Sequence, residues 1–419
     1  MHSAWTNGVV PKPGWAKLVA SILRGCSALT VLSALLATYP ATAQTETVLH
    51  RFSGTRSGYD FTSPLTPDGA GNLYGTTSVG GRGYGTVFEL SPSGSGGWKQ
   101  TVLHTFTNGK DGAYPNLTSL IFDKQGNLYG MTPEGGANNF GVVFKLHQVE
   151  KRWAETVLYS FASGAGGVYP FNGPIMDAAG NLYGRDYVYS EAGISEAVFE
   201  LSPSRGRWAE RVIYDNGVDT GNPNGGGITM DAAGNIFGVY WTNPGPSEAF
   251  ALSPNGKGGW NSKVIYTFAE DIFPVGVPVL DKSGSLYGTA QGTSNLGMVY
   301  KLSPGKNEEW SLKTLYTFKG GSDGSNPYAG IAFDANGNIY GTTVTGGQFS
   351  LGTVFELALS VGKGSYQEKV LWSFNGKDGS APLSSVVPGA GNLYGTTTTG
   401  GGTGCYGYEG CGVAFELTP

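Results

Sequence analysis

The chain has 419 residues, with 26 Lys and Arg against 31 Asp and Glu, which gives a formal net charge of −5. This mildly acidic balance, without a basic stripe, argues against nucleic acid as a partner. Glycine contributes 70 residues. They recur at fixed places and lack the three-residue period of collagen, so collagen and simple disorder both fit poorly.

The first 43 residues are predicted to be a secretory signal peptide. Lys12, Lys17 and Arg24 form a basic region, residues 26–38 are mostly apolar, and Ala41-Thr42-Ala43 fits a cleavage site. A retained membrane anchor is the alternative, but the apolar run is too short for a spanning helix of about 20 residues. Cleavage after Ala43 removes three basic and no acidic residues, leaving 376 residues and shifting the net charge from −5 to −8. We therefore expect a secreted or periplasmic protein without stable membrane insertion.

A five-residue motif organises the rest of the chain. Gly126-Asn127-Leu128-Tyr129-Gly130 recurs with little change, and its seven copies begin 55, 54, 54, 50, 53 and 54 residues apart. A period of this size indicates a repeat architecture. The copies begin at Gly71, Gly126, Gly180, Gly234, Gly284, Gly337 and Gly391.

Each repeat predicts four short β-strands. In the second repeat, residues 117–123, 127–132, 142–146 and 153–161 are rich in aromatic and β-branched side chains and are separated by turn residues. Four strands in about 50 residues, repeated seven times, predict an all-β fold, a seven-bladed β-propeller of four-stranded blades. We expect residues 44–419 to form this single domain. A β-solenoid is the weaker alternative, because its coils are much shorter.

The two ends of the predicted domain are complementary. Residues 46–52 match the fourth strand of a repeat, whereas the last unit ends after its third strand, at Phe415-Glu416-Leu417-Thr418-Pro419. We therefore predict that Val48–Phe52 pairs with Val413–Leu417 and completes the seventh blade. This pairing would cover two strand edges that could otherwise promote aggregation.

Several repeated positions are interpreted as structural. The aromatic residue that opens each fourth strand could be a sugar platform, but its fixed place favours packing between blades. His50 and His104 fill a slot that Tyr occupies in other repeats, which also favours packing. The Asp before each Gly-Asn strand start is expected to stabilise a turn. The aromatic residues are Trp98, Trp153, Trp208, Trp260, Trp310 and Tyr366, and the aspartates include Asp123, Asp177, Asp231, Asp281 and Asp334.

A second acidic set lies in loops after fourth strands. Asp111, Asp323 and Asp378 each stand in a short Gly-rich loop, whose composition can bind Ca²⁺ through oxygen ligands. One carboxylate per loop is too few for a calcium cage. We therefore interpret these residues as turn formers and predict no metal site.

Cys405 and Cys411 are the only cysteines that remain after cleavage at Ala43. They flank five residues in the last Gly-rich loop. An even pair in an exported protein predicts a disulfide. A redox or metal-binding pair is the alternative, and it is weakened because the spacing is not Cys-x-x-Cys and no His lies near.

The repeat pattern resembles a known family of exported bacterial proteins. It reads P-x-x-x-L-x-x-D-x-x-G-N-L-Y-G-T-T, then G-G-x-x-G-x-G-T-V-F-E-L-S-P, then W-x-x-x-V-L-Y-x-F, most fully at residues 72–90 and 338–357. This pattern is similar to the Gloeobacter/Verrucomicrobia (GloVer) tandem-repeat family and covers the predicted domain. The resemblance implies export and repeat architecture but carries no activity, because fold does not fix function.

Units three and four depart from the Thr-Thr pattern that follows the motif elsewhere. Because neighbouring blades place equivalent loops side by side, we expect these residues to cluster on one rim, together with the Gly-rich loops and blade crossovers. Aromatic rings with an Arg–Asp pair would suit a sugar-like ligand, whereas drift in a degenerate repeat is the alternative. The candidate ligand-binding residues are Arg185, Asp186, Tyr187, Tyr189, Tyr240, Trp241 and Asn243.

No catalytic, metal-binding or cofactor-binding pattern is evident in the sequence. The leading hypothesis is a secreted, monomeric, non-enzymatic propeller that binds an extracellular glycan or a cell-surface protein. One alternative is a carbohydrate-active hydrolase or lyase with its site at the channel mouth, for which paired carboxyl groups over a pocket would be evidence. Another is a purely structural module of the cell envelope.

Overall fold

The computed structural model describes most of residues 44–419, which form one compact unit. Within these residues, 28 strands form seven four-stranded antiparallel sheets. The predicted signal peptide, residues 1–43, and the candidate Asn243 lie outside the described residues. The other residues outside the description are 55–57, 59–62, 95, 116–117, 164–165, 191–192, 218–225, 242, 244, 293–295, 361, 363, 403 and 406–409.

Each sheet is one blade, and its strands follow one another from the inner to the outer edge. Blade 1 contains β2 (Thr66–Pro67), β3 (Leu73–Thr77), β4 (Thr86–Pro92) and β5 (Trp98–Thr105). Blade 2 contains β6 (Ile121–Phe122), β7 (Leu128–Thr132), β8 (Val142–Val149) and β9 (Arg152–Ser160). Blade 3 contains β10 (Val168–Met176), β11 (Leu182–Ser190), β12 (Gly193–Ser204) and β13 (Arg207–Asp215).

The remaining blades repeat this order. Blade 4 contains β14 (Ile228–Met230), β15 (Ile236–Tyr240), β16 (Glu248–Pro254) and β17 (Trp260–Thr267). Blade 5 contains β18 (Ile272–Leu280), β19 (Leu286–Gly292), β20 (Met298–Pro304) and β21 (Trp310–Thr317), and blade 6 contains β22 (Ala332–Phe333), β23 (Ile339–Thr343), β24 (Thr353–Ser360) and β25 (Ser365–Ser373). Blade 7 combines β26 (Val387–Gly389), β27 (Asn392–Thr396) and β28 (Val413–Thr418) with β1 (Thr45–Arg51). Two 3₁₀ turns, Lys306–Glu308 and Gly321–Asp323, complete the described elements.

The seventh blade closes through the N-terminal strand, which confirms the prediction. β1 is antiparallel to β28, with Val48 opposite Phe415 and Glu46 opposite Leu417. The amide of Phe52 donates to the carbonyl of Gly412 at 3.2 Å. The described chain therefore forms seven complete blades without an uncovered edge on β28.

The glycine that ends the repeated motif is required by the third strand of the same blade. A Cβ atom on Gly130 would lie 2.5 Å from Cζ of Phe144, and one on Gly75 would lie 2.6 Å from Cζ of Phe88. Both phenylalanines are fully buried. The small residue lets the large ring fill the centre of the blade, which explains why this glycine recurs.

The repeated aspartates stabilise the first hairpin of their blades, as predicted. Asp123 Oδ1 accepts hydrogen bonds from the amides of Gln125 and Asn127, each at 2.9 Å. Its Oδ2 accepts from Asn127 Nδ2 at 2.6 Å and from the Tyr129 hydroxyl at 3.0 Å. These hydrogen bonds lower the pKa of Asp123 despite the opposing effect of partial burial. One carboxylate thus ties the turn to the motif that follows it.

The aromatic residues that open the fourth strands pack between blades, also as predicted. Trp153 of blade 2 lies edge-on to Tyr74 of blade 1, with ring centroids 6.4 Å apart, and Trp260 of blade 4 contacts Tyr183 of blade 3 at 5.7 Å. His104 contacts Phe106 at 4.7 Å in the same way that Tyr159 contacts Phe161. The structural interpretation of these rings is confirmed.

The crossovers between blades and the loops that join second to third strands lie together, and we call this side the loop face. The bridges Ala113–Glu134, Ser325–Thr345 and Ser380–Thr399 each join a crossover to such a loop in one blade. The expected sharing of one rim is therefore confirmed. The other side, formed by the two hairpins of each blade, is called the hairpin face.

The last loop of the loop face contains the predicted disulfide between Cys405 and Cys411, whose Cα atoms are 5.2 Å apart. Both residues are buried with Leu49 and Phe52 at the junction of blades 7 and 1. A Cβ on Gly54 would lie 2.8 Å from the Cys405 Sγ. The disulfide therefore packs directly on the chain that leaves β1.

The loop aspartates behave as turn formers. Asp111 accepts from the Thr107 amide at 3.0 Å, and Asp323 accepts from the Lys319 amide at 3.0 Å. Asp378 accepts from the Asn375 amide at 2.8 Å. Within the described part of the chain, no group of three His, Cys, Asp or Glu side chains is arranged to hold a metal. Those same residues contain no helix with the length and apolar character to cross a membrane.

Candidate functional site

The candidate residues of blade 3 belong to a strand and not to a loop. β11 continues through Arg185 and Asp186 to Ser190 and pairs with β12 along its whole length. Arg185 and Asp186 are 1% and 0% exposed, and Tyr240 at the end of β15 is 4% exposed. The expectation that these three side chains stand on the rim is therefore corrected. They lie inside the propeller because they take the strand positions of Thr76 and Thr77 in blade 1, which are buried as well.

Arg185 joins blade 3 to blade 4. Its guanidinium forms an ion pair with Glu196 and donates to the carbonyl of Gly226 and, at 2.6 Å, to that of Val239. The guanidinium also lies 5.1 Å from the ring centroid of Phe171. Burial lowers the pKa of Arg185 to about 10, so the group remains charged at neutral pH. The contacts of Arg185 thus connect blade 3 to blade 4.

The contact made by Arg185 is a longer version of one that recurs around the ring. The residue after the motif is threonine in four other blades, and three of these hydroxyls lie near a backbone carbonyl just before the inner strand of the next blade. Thr289 donates to Ala329 at 2.6 Å, and Thr342 donates to Ser384 at 3.1 Å. Thr76 lies 3.5 Å from the carbonyl of Thr118. Arg185 therefore occupies a repeat position at which the side chain contacts the next blade in other parts of the ring as well.

Asp186 lies under the crossover that enters blade 3. A Cβ on Gly167 would lie 1.6 Å from its Oδ2, so the backbone of the crossover sits directly on the carboxyl group. Neither carboxyl oxygen has a hydrogen-bond partner among the described residues. Burial, and then the negative charge of Glu210, raise the pKa of Asp186 well above its usual value. This environment favours a neutral Asp186.

The remaining candidates divide between two places. Tyr187 stacks on Phe171 with ring centroids 4.7 Å apart, and Tyr189 is 54% exposed and meets Tyr169 edge-on at 6.2 Å. Trp241 instead contacts blade 5, where its indole N–H donates to the Pro274 carbonyl at 2.6 Å. Tyr189 is therefore the candidate that the structure presents to solvent most openly.

Tyr189 belongs to a larger set of rings that sequence reasoning missed. Tyr84 meets Tyr114 with centroids 5.6 Å apart, and Phe140 meets Tyr169 at 5.5 Å. All four rings are partly exposed. The two pairs lie at neighbouring blade junctions, and the Ala113–Glu134 bridge connects the loops that carry them. We call these residues the aromatic run; it consists of Tyr84, Tyr114, Phe140, Tyr169 and Tyr189.

The backbone fixes the positions of these rings. Tyr114 and Tyr169 have φ values of 55° and 54°, in the left-handed region that costs a residue with a side chain about 1–2 kcal/mol. The Tyr114 amide donates to the Tyr84 carbonyl at 2.8 Å, and the Tyr169 amide donates to the Phe140 carbonyl at 2.9 Å. Each junction thus holds two aromatic residues through one backbone hydrogen bond.

Other blade junctions have the same left-handed residue and the same backbone hydrogen bond, but without aromatic side chains. Asn326 and Ala381 have φ values of 56° and 50°, and their amides donate to the carbonyls of Leu296 and Leu351. Like Tyr114 and Tyr169, both residues precede a proline. Aligning the residues before these prolines, and before Gly85 and Gly141, would have revealed the aromatic run in the sequence.

The inner strands meet closely around the axis of the propeller. A Cβ on Gly173 would lie 2.4 Å from the Ser119 Oγ, and one on Gly276 would lie 2.3 Å from the amide nitrogen of Gly330. The residues of the seven inner strands include no Asp, Glu, His, Lys, Arg or Cys. The side chains of these described strands are apolar or uncharged.

A groove of about 450 Å³ lies on the hairpin face between blades 3 and 4. Trp260, Glu200 and Arg211 are among its lining residues. Glu200 accepts a hydrogen bond from the Trp260 indole at 3.3 Å and from Arg211 at 2.5 Å. Glu200 and Arg211 are therefore already engaged with each other, and Asp177, which also lines the groove, accepts from its own hairpin.

Solved structures similar to this chain have varied functions. A puromycin-hydrolysing peptidase from Mycobacterium tuberculosis shares 12% identity and a TM-score of 0.54, with 87% of this chain and 56% of that chain covered. A Lactobacillus plantarum protein shares 13% identity and a TM-score of 0.49, over 81% and 96% of the two chains. A putative oxidoreductase (glucose dehydrogenase) from Thermus thermophilus shares 18% identity and a TM-score of 0.47, over 72% and 95%. At these identities the likeness concerns the fold alone.

No curated protein matches the chain. The Gloeobacter/Verrucomicrobia repeat model matches residues 33–251 and 243–419, which include all seven copies of the motif. The sequence pattern, the seven blades and this match agree, and the chain belongs to the Gloeobacter/Verrucomicrobia repeat family.

Proposed function

We propose that the protein is a non-enzymatic propeller that binds an extracellular polysaccharide along the aromatic run of blades 1–3. The run itself supports the proposal, because five partly exposed rings lie on one face of three consecutive blades. Aromatic rings offer a large apolar surface, and tyrosine adds a hydroxyl that can donate or accept a hydrogen bond. Sugar rings present both an apolar face and hydroxyl groups, so this combination suits them.

The backbone supports a binding role because it holds the rings in place before a ligand arrives. Tyr114 and Tyr169 are fixed by left-handed backbone and by hydrogen bonds across the blade junctions. A preorganised surface loses less conformational entropy on binding.

The composition of the described inner strands bears on the alternative of a glycoside hydrolase. Glycoside hydrolysis commonly requires two carboxyl groups about 5–10 Å apart. The described inner strands supply none around the channel. Among the seven sequence-based candidates, Tyr189 is proposed to contact the ligand, whereas Arg185, Asp186 and Tyr240 are proposed to support the blades from inside.

Export is part of the proposal. The sequence predicts a signal peptide, and the disulfide between Cys405 and Cys411 suits an oxidising compartment. A binding protein outside the cytoplasm would meet extracellular polymers directly. The proposed partner is therefore a glycan of the surroundings or of a cell surface.

The test is a glycan array with the purified protein, followed by calorimetry on any polysaccharide that binds. Tyr114→Ala and Tyr169→Ala should each weaken binding and leave folding intact, because Ala381 already occupies the equivalent left-handed position. Phe349→Ala is the matched control, since Phe349 is 49% exposed on the loop face outside the run. Equal affinity of all three variants and the wild type would overturn the proposed site. Release of shortened sugars by the protein would instead establish the enzymatic alternative.

A further inference from the structure

The outer strand of blade 7 begins differently from those of the other blades. Residues 44–52 align without a gap with residues 98–106 of blade 1, so Gln44 takes the place of Trp98. In the other blades this position carries an aromatic ring that packs against the preceding blade; Trp98 meets Tyr394 of blade 7 with ring centroids 6.2 Å apart. The other residues at this position are Trp153, Trp208, Trp260, Trp310 and Tyr366.

Gln44 also contacts the preceding blade, but through its side-chain amide. The amide nitrogen donates to the carbonyl of Leu371 at 3.1 Å, and the amide oxygen accepts from Lys369 Nζ at 2.6 Å, in the orientation of the amide that satisfies both groups. Both partners lie on β25, the outer strand of blade 6. Gln44 thus connects the two blades through one donor and one acceptor.

The compact unit that forms the propeller begins at Gln44. The expected cleavage after Ala43 would make the same residue the N-terminus of the exported chain. This inference therefore rests on the export that forms part of the proposed function. Cleavage would give Gln44 a free α-amine and leave its side-chain carboxamide intact. These two groups of one residue are the reactants of a γ-lactam.

We propose that Gln44 is a modification site, at which the exported chain loses ammonia and begins with a pyroglutamyl ring. The α-amine nitrogen attacks Cδ of the side-chain carboxamide, and a bond forms between these two atoms. The bond from Cδ to Nε2 breaks, and Nε2 leaves as ammonia with the proton that the α-amine gives up. The step needs no oxidant, reductant or second substrate.

A pyroglutamyl ring has the properties that its surroundings require. It places a ring at the position that is aromatic in the other blades. It keeps one N–H donor and one carbonyl acceptor, the two kinds of group that Leu371 and Lys369 engage on β25. A free α-ammonium would stand within one side-chain length of the Lys369 ammonium, and like charges repel. Cyclisation removes that positive charge.

The modification would protect the strand that closes the propeller. Aminopeptidases act on a free α-amine, and the lactam offers none. Removal of residues after Gln44 would shorten β1, which pairs with β28 from Thr45 onward. We therefore expect pyroglutamate at residue 44 to preserve the closure of blade 7 in a medium that contains aminopeptidases.

The test expresses the full chain with its leader in a bacterium that exports it. The intact mass of the purified protein, measured before any digestion, should match a chain that begins at residue 44 and has lost one ammonia molecule. Treatment of the N-terminal peptide with a pyroglutamyl aminopeptidase should leave Thr45 as its first residue. A general aminopeptidase should leave the folded protein unchanged.

Gln44→Asn is the matched control, because it keeps a side-chain amide but would have to form a smaller and more strained lactam. This variant should retain its ammonia and lose its first residue to the general aminopeptidase. An equal response of the wild type and the variant to that enzyme would overturn the protective role of the ring.

The N-terminal residue separates failure of this inference from failure of the proposed function. A mature chain that begins with unmodified Gln44 would overturn the inference and leave export intact. A retained leader, or another first residue, would overturn the inference together with export. The glycan array is independent of these outcomes, because the aromatic run lies in blades 1–3.

Discussion

Val48 and Phe415 are antiparallel partners, so a strand from the start of the described chain completes the blade formed by its end. The residues that follow Val48 pack β1 against the first blade. Leu49 and Phe52 are buried, and the Phe52 ring lies 5.3 Å from that of Phe88 in blade 1. β1 therefore closes the ring in two directions, by hydrogen bonds to β28 and by packing on blade 1.

Deletion of residues 44–53 should remove both contacts. The edge of β28 and the apolar surface under Leu49 would then be exposed, and unpaired edges promote association. We expect aggregation or a large fall in melting temperature, measured by light scattering and calorimetry. Leu49→Ala should cost about 2–5 kcal/mol of unfolding free energy, whereas Thr47→Ala, at an exposed position of the same strand, should cost little. A monomeric deletion variant with wild-type melting would contradict this account of closure.

The disulfide should stabilise the same junction. Replacing Cys405 and Cys411 by serine should lower the unfolding free energy by about 2 kcal/mol, the contribution expected from a loop of this size on the chain-entropy model. Mass spectrometry of the oxidised protein should show the two cysteines linked within one chain. Reduction of the wild type should reproduce the melting temperature of the double variant, while the double variant itself should not respond to reductant.

Arg185 and Glu196 should be strongly coupled. Arg185→Thr introduces the residue type that Thr289 and Thr342 supply elsewhere, but it leaves Glu196 buried without its cation. Removing one partner of a buried ion pair typically costs about 3–5 kcal/mol. The double variant Arg185→Thr, Glu196→Ala should therefore be more stable than Arg185→Thr alone. Chemical denaturation of the two single variants and the double variant measures the coupling. If the losses of unfolding free energy are additive in this double-mutant cycle, the ion pair contributes no coupling.

The fold could be predicted because its determinants are local and repeated. Asp123 and Gly126 shape one hairpin, and the same spacing recurs in six of the seven units, so a single repeat specifies most of the blades. The burial of Arg185 could not be predicted in this way. It depends on the carbonyls of Gly226 and Val239, which lie in another blade. A run of polar residues therefore suggested a surface where the structure has an interior.

The aromatic run was missed for a related reason. Tyr84 and Tyr114 belong to different repeats and meet only because a crossover of one blade lies beside a loop of its neighbour. Neither residue breaks the local pattern of its own unit. The departures that do break the pattern, at Arg185 and Asp186, are buried inside the propeller.

Binding and stability should be separable among three aromatic residues. Trp153→Ala should lower the unfolding free energy by about 3 kcal/mol or more, because the ring packs against Tyr74 between blades. Tyr189→Ala should leave melting almost unchanged, since the ring is 54% exposed. If the aromatic run binds a polysaccharide, the same change should weaken binding by about 1–3 kcal/mol, the range known for aromatic platforms that stack nucleobases.

The third variant, Trp241→Ala, tests whether the ligand binds at blades 4 and 5 and not at the aromatic run. Its indole donates to the Pro274 carbonyl and its ring meets Phe273 at 5.5 Å, so its loss should leave a carbonyl without its donor and cost about 1–3 kcal/mol of stability. Its effect on affinity should be small, because its contacts lie at the junction of blades 4 and 5. Calorimetric melting and ligand titration of the three variants measure both quantities. Loss of affinity in Trp241→Ala with unchanged melting would move the proposed site from the aromatic run to blades 4 and 5.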